Sequence, residues 1–137
     1  MTRKFTIFFA TVALLLPAAA LSAQDKSREE MEKQFYEALE SQVERYTEQL
    51  HLEDWQVFYV DSILMYNMTA MRRELEELNA ARVSSADYLL ITSDKWMETT
   101  YNAFRKVLSD EQWEKYLKSG AKREKAARDK RAAKRSQ

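Results

Sequence analysis

An all-α fold follows from three features of the sequence. One Gly and one Pro in 137 residues leave too few turn formers for a fold of short strands. Apolar residues recur at spacings of three and four over long stretches, the period of a helix with one buried face. Ser27-Arg-Glu-Glu30 and Ser109-Asp-Glu-Gln112 have the form of capping boxes, in which the first and fourth side chains satisfy free amide groups at a helix start. Together these predict four helices in two hairpins: about 28–50 with 54–82, and a second pair joined at Ser109. So thin a chain encloses no round core, which favours an elongated or curved arrangement, or a dimer.

The chain opens with Met-Thr-Arg-Lys, an apolar run from Phe5 to Leu16, and a stretch of mostly small residues from Pro17 to Ala23. A charged start, an apolar centre of about a dozen residues and a small-residue end mark a secretory signal. Cleavage is expected after Ala23, with Leu21 less usual at the third position before the cut. An uncleaved anchor is disfavoured, because a bilayer span needs about 20 apolar residues and Pro17 interrupts the run. The expected organisation is therefore a signal peptide at 1–23, a helical domain at 24–117 and a basic tail at 118–137. There is no Cys, so neither a disulfide nor a lipid-modified Cys contributes, and helix packing must supply the stability.

Taken in order, the first helix carries Met31, Phe35, Leu39, Val43, Tyr46 and Leu50 on one stripe, with Glu32, Glu37, Glu40, Glu44 and Glu48 off it. Glu53 and Asp54 place negative charge at the amino end of the second helix, where the helix dipole favours it. Val83-Ser-Ser-Ala86 is the expected turn, with Ser84 or Ser85 capping the third helix. In that helix Leu89, Leu90, Trp96, Met97, Tyr101, Phe104, Val107 and Leu108 share a face. Ile91 falls off it, and Thr92-Ser-Asp94 offers a second cap, so a break near 94 is expected. The fourth helix opens at Ser109 and turns Trp113, Tyr116 and Leu117 to one side. Beyond Leu117 no apolar residue larger than alanine remains, so 118–137 reads as a fraying solvated helix or disorder, with Gly120 a place for order to end.

The second helix carries the functional clue. Val57, Val60, Leu64, Met68, Met71, Leu75 and Leu78 form one apolar stripe, and Trp55, Tyr59, Ile63, Tyr66 and Ala70 form another. Phe58 and Met65 lie on a third side. A helix apolar nearly all round is either buried among neighbours or keeps a face for a partner, and this chain has few neighbours to offer. Trp55, Tyr59, Ile63, Met65 and Tyr66 are the candidate partner-binding residues. Methionines on such a face suit a promiscuous surface that repacks against different partners.

Charge is balanced overall but segregated: residues 24–117 hold 20 acidic and 11 basic side chains, and 118–137 hold 9 basic and 2 acidic. The tail is expected to aid solubility, with weak contact to anionic envelope components as a further reading. No nucleic-acid recognition motif is present. The single His, His51, lies at a helix junction without the partners that a nucleophile–base system or a zinc site needs. Met65, Met68 and Met71 suit copper(I) as soft ligands, but two of them lie on the main apolar stripe, where Met is ordinary core filling. No catalytic residue, metal or cofactor is expected, and enzyme activity is disfavoured. Asn67-Met-Thr69 matches a glycosylation triplet by chance in mid-helix.

Two junctions share a pattern. Leu52, Glu53 and Gln56 open the second helix, and Leu108, Ser109 and Gln112 open the fourth. This resembles the LTxxQ signature that occurs twice in the Spy/CpxP family of small periplasmic helical proteins, over roughly 28–118, with Ser109 and Glu53 in place of Thr. The resemblance implies a cradle-shaped periplasmic homodimer that binds unfolded or misfolded clients without ATP, or a relative that tunes an envelope-stress sensor. Zinc, a feature of some relatives, would need ligands from a second subunit. The motif residues themselves are expected to cap helices. The expected function is thus an exported, ATP-independent chaperone-like protein; the alternatives are a partner of one dedicated envelope protein and, behind it, a periplasmic metal-binding protein.

Overall fold

The structure is a computed structural model in which residues 16–83 and 85–137 are described, with side chains from residue 23 onward. The front of the expected signal and Ser84 lie outside these residues. Helix α1 spans Leu16–Leu50, α2 Asp54–Ala80, α3 Ala86–Val107 and α4 Asp110–Tyr116; after a π-type turn at Leu117–Ala121, α5 spans Lys122–Arg135. Among the described residues there is no strand, and the fold is all-α as the periodicity predicts.

The chain divides into two units, residues 1–38 and 39–137. In the first, α1 passes through Ser27 without interruption, so the Ser27 capping box does not begin a helix. No Gly and no further Pro follow Pro17 in α1 to stop the helix. Lys33 and Glu37 pair at 3.7 Å across one turn, and the rings of Phe35 and Tyr36 meet edge to face.

The second unit holds the core. Val43 and Leu50 of α1, Val60 and Leu64 of α2, and Phe104, Leu108, Tyr116 and Ala121 from the rest of the chain are buried together. Tyr46 caps this cluster, with its ring centroid 5.5 Å from Phe104 and 5.8 Å from Tyr116. Burial pushes the Tyr116 phenol, and to a lesser extent that of Tyr46, above the ordinary tyrosine range, with Glu124 nearby adding to both.

The closest helix pairing is α2 with α3, not the first helix with the second. Polar links explain it. The buried Asn67 amide donates to Thr100 Oγ1 at 3.0 Å, and the Glu74 carboxylate accepts from Lys95 Nζ at 2.6 Å and Trp96 Nε1 at 2.8 Å. These fix an antiparallel register. They also hold the Glu74 carboxyl below its ordinary pKa, chiefly through the Lys95 hydrogen bond. Asn67 is therefore unavailable as a glycan acceptor. α3 is continuous through Asp94, because that carboxylate is engaged with α5 rather than capping a helix. Leu90 and Ile91 are both exposed, so Leu90 does not share the buried face.

The two long helices end alike. His51 and Arg82 take left-handed backbone conformations, φ 52° and 57°, where glycine is usual. The amides that follow close the ends, Leu52 N–H donating to Thr47 O and Val83 N–H to Leu78 O. The only Gly, Gly120, is used elsewhere. At φ 116° it lies inside the π-type turn and re-aims the chain, so that α5 packs on α3.

The tail is helical over Lys122–Arg135, one of its two expected states, but that helix is docked rather than solvated on every side. α5 has no large apolar residue to bury, but it docks by charge. Asp94 accepts from Arg131 Nη2 at 2.6 Å and Arg135 Nη2 at 3.1 Å; Glu98 accepts from Lys125 Nζ at 2.7 Å and Arg128 Nε at 3.2 Å. Arg128 is only 7% exposed. Its guanidinium lies 5.6 Å from the Tyr101 ring centroid, while its Nη2 has no hydrogen-bond partner. Composition alone cannot reveal such a contact, because what α5 docks with is itself charged.

A pH dependence follows. The Arg131 hydrogen bond above all holds Asp94 below its ordinary pKa. Burial alone would raise Glu98, but its bonds from Lys125 and Arg128 outweigh this and hold it low as well. Carboxylates with depressed folded pKa values contribute stability above their unfolded values, which is lost as pH falls through the folded ones. α5 should therefore stay docked at pH 5 and above and loosen as pH falls below about 4. Amide exchange across 122–135 measures this; Asp94→Asn should weaken protection already at neutral pH.

Candidate binding face of the central helix and the paired junctions

On α2 the core side is set by Val60, Leu64 and Asn67, all buried. Opposite them, at helical spacing, stand Trp55, Phe58, Tyr59, Ser62, Met65, Tyr66 and Thr69, all exposed. Phe58 is 67% and Tyr66 71% exposed. Three of the rings contact one another edge to face: Trp55 and Tyr59 centroids lie 6.2 Å apart, and Phe58 and Tyr59 5.6 Å. From Trp55 to Tyr66 the face runs about 16 Å at the helical rise. The Ser62 hydroxyl within it is turned back onto Phe58 O, leaving the face without a competing polar group there. Beyond Thr69 the same side becomes charged, with Arg73, Glu76 and Glu77 exposed.

Four of the five candidate residues, Trp55, Tyr59, Met65 and Tyr66, thus stand together on one exposed face. Ile63 does not: it turns toward the core and packs against it. Phe58 takes its place. Its position was legible, three residues after Trp55 and seven before Met65, but grouping by the Tyr59–Ile63–Tyr66 stripe set it on a separate side. Met68 packs against the core and Met71 is partly buried, so the three methionines do not share one exposed face. Trp96 is tied to Glu74 and Trp113 packs on the core, which leaves Trp55 as the exposed tryptophan.

The junction residues lie at the other side of the helix start. Ser109 Oγ accepts from the Gln112 amide at 3.2 Å, while Ser109 N–H donates to Gln112 Oε1 at 2.9 Å, a complete capping box. At the first junction Glu53 N–H donates to Gln56 Oε1 at 2.9 Å, and the Glu53 carboxylate accepts from the Trp55 indole at 2.6 Å. The two glutamines then meet. Gln56 Nε2 donates to Gln112 Oε1 at 2.6 Å, and Gln112 Nε2 to Gln56 Oε1 at 2.9 Å. Each amide also reaches the other junction's backbone, Gln56 to Val107 O and Gln112 to His51 O. Leu108 is buried and Leu52 packs against the same core. The repeated spacing is thereby a two-fold clasp that holds the start of α2, and with it Trp55, against the α3–α4 junction. Its partners are amides and carbonyls, not titrating groups, so it serves structure rather than acid–base chemistry.

No protein-family model, curated protein or solved structure matches the chain. Among the described residues, no group of His, Asp and Glu is placed to hold a metal ion, and no helix is long and apolar enough to cross a membrane.

Proposed function

We propose that the chain is a Spy/CpxP-like, ATP-independent binding protein of the envelope. In this reading it is exported, acts as a homodimer, and holds unfolded or misfolded proteins on the outer face of α2. The observation that carries this reading is the row Trp55, Phe58, Tyr59, Met65 and Tyr66, exposed on a helix whose other side already fills the core. Aromatic rings offer large apolar area at little entropic cost, and Met65 adds a side chain that adapts to irregular partners. Asp54 and Asp61 beside the row and Glu76 and Glu77 beyond it keep an occupied face soluble. The clasp of Gln56 and Gln112 supports the same reading, since it fixes the aromatic end of α2 without using any side chain of the face.

The test is suppression of aggregation. Chemically unfolded, unrelated proteins are diluted into buffer with the full chain, without ATP, and followed by light scattering. Near-stoichiometric suppression is expected. The pair Tyr59→Glu and Tyr66→Glu should abolish it while leaving the fold intact, because exposed substitutions usually change stability by within about 0.5 kcal/mol. Absence of suppression with every client would refute the reading and point to one dedicated partner.

A further inference from the structure

α5 carries two basic faces, and only one is used within the fold. Lys125, Arg128, Arg131 and Arg135 point at α3 and are neutralised by Glu98 and Asp94. On a helix of 3.6 residues per turn, Lys122, Arg123, Lys130 and Lys134 fall on the opposite side, within about a third of a turn of one another. All four are exposed, and none has an ion-pair or hydrogen-bond partner among the described residues. The row runs about 18 Å at the helical rise, with only Ala126, Ala127 and Ala133 between its members. Of the two acids in the segment, Asp129 at the edge of the row is held by Lys125, and Glu124 lines the cleft beside Tyr46. The outer face is therefore uniformly cationic, and the ion pairs of the inner face fix its direction.

We propose that this outer face adsorbs the protein to an anionic lipid surface, headgroup phosphates pairing with Lys122, Arg123, Lys130 and Lys134 as Asp94 and Glu98 pair with the inner cations. The chemistry of the face selects this occupant. A protein partner is held mainly by apolar and aromatic anchors seated in pockets, and alanine is too small to be one. Nucleic acid is bound by stacking on aromatic rings or by side chains that read base edges, and the face has neither. A charged bilayer needs no anchor and no matching shape; four basic residues on one helix side are enough to draw a chain to it. Because no large apolar residue is present, α5 lies on the headgroups and does not insert. This attachment is separate from client binding, which uses α2.

Co-sedimentation with vesicles tests the assignment. The full chain is mixed with vesicles of phosphatidylglycerol and phosphatidylethanolamine, or of phosphatidylcholine alone, at about 50 mM salt, where charge is weakly screened. Phosphatidylcholine measures any uptake due to the apolar residues 5–16. Excess binding to the anionic vesicles is expected, lost at about 500 mM salt. The fourfold variant Lys122→Gln, Arg123→Gln, Lys130→Gln and Lys134→Gln should reduce that excess by more than about tenfold with an unchanged circular dichroism spectrum. A control removing four exposed cations elsewhere (Lys26, Arg28, Arg73 and Lys106 to Gln) should retain most of it. No excess at low salt would overturn the proposal, as would equal loss in the control or tighter binding to a single-stranded oligonucleotide than to the anionic vesicles at matched salt.

Discussion

Phe104→Ala is expected to destabilise the fold by about 3–5 kcal/mol, the usual cost of emptying a well-packed phenylalanine site. Phe104 is 1% exposed, with Tyr46 and Tyr116 stacked edge-on against it at 5.5 and 5.4 Å. It is the point where side chains from α1, α3 and α4 converge. The cluster it belongs to has eight buried members among the described residues, Phe104 included, and small domains have about 5–15 kcal/mol in total. The variant should therefore lie near its unfolding midpoint in mild urea. Phe58→Ala removes the same ring from a site 67% exposed and should shift the urea midpoint hardly at all. Similar losses in both variants would show that the core is not where the burial places it.

The second large effect belongs to the clasp. Gln56 is 3% exposed and is bonded to Gln112, Val107 O and Glu53 N–H. Gln56→Ala strands those partners, and each buried polar group left unpaired costs about 1–3 kcal/mol; a total loss of about 2–4 kcal/mol is expected. Gln112→Ala, at a less buried position, should cost about 1–2 kcal/mol on the same grounds. Because the amides bond each other reciprocally, the double variant should be less destabilised than the sum, with a coupling of about 1 kcal/mol or more. Strict additivity in urea denaturation would mean that the two junctions are capped independently.

What was legible in the sequence is the part governed by local rules. The apolar period located α2 and α3, and the Ser109 box located α4 to the residue. The shared spacing of Leu52, Gln56, Leu108 and Gln112 pointed to paired junctions, though not to the contact between the glutamines, which joins residues 56 positions apart. The start of α1 was misplaced because a good cap at Ser27 stops nothing when helix formers continue on both sides. Pairing of α2 with α3 rested on Asn67, Thr100 and Glu74, polar residues that an apolar pattern passes over. The docking of α5 was hidden for the same reason, since its inner face is made of Arg and Lys. At the candidate face Trp55, Tyr59, Met65 and Tyr66 are exposed together, but a stripe drawn through Ile63 misses the direction of the core by enough to exchange Ile63 for Phe58.

The proposed function requires that non-native chains meet the outer face of α2. A photo-activatable phenylalanine analogue placed at position 58, and separately at position 73 on the charged continuation of the same side, reads this directly. With a chemically unfolded protein present, illumination should give abundant cross-links from position 58 and few from position 73, and none from either with the same protein folded. Equal yields at the two positions, or cross-links that persist with folded protein, would contradict the assignment of the aromatic row as the binding face.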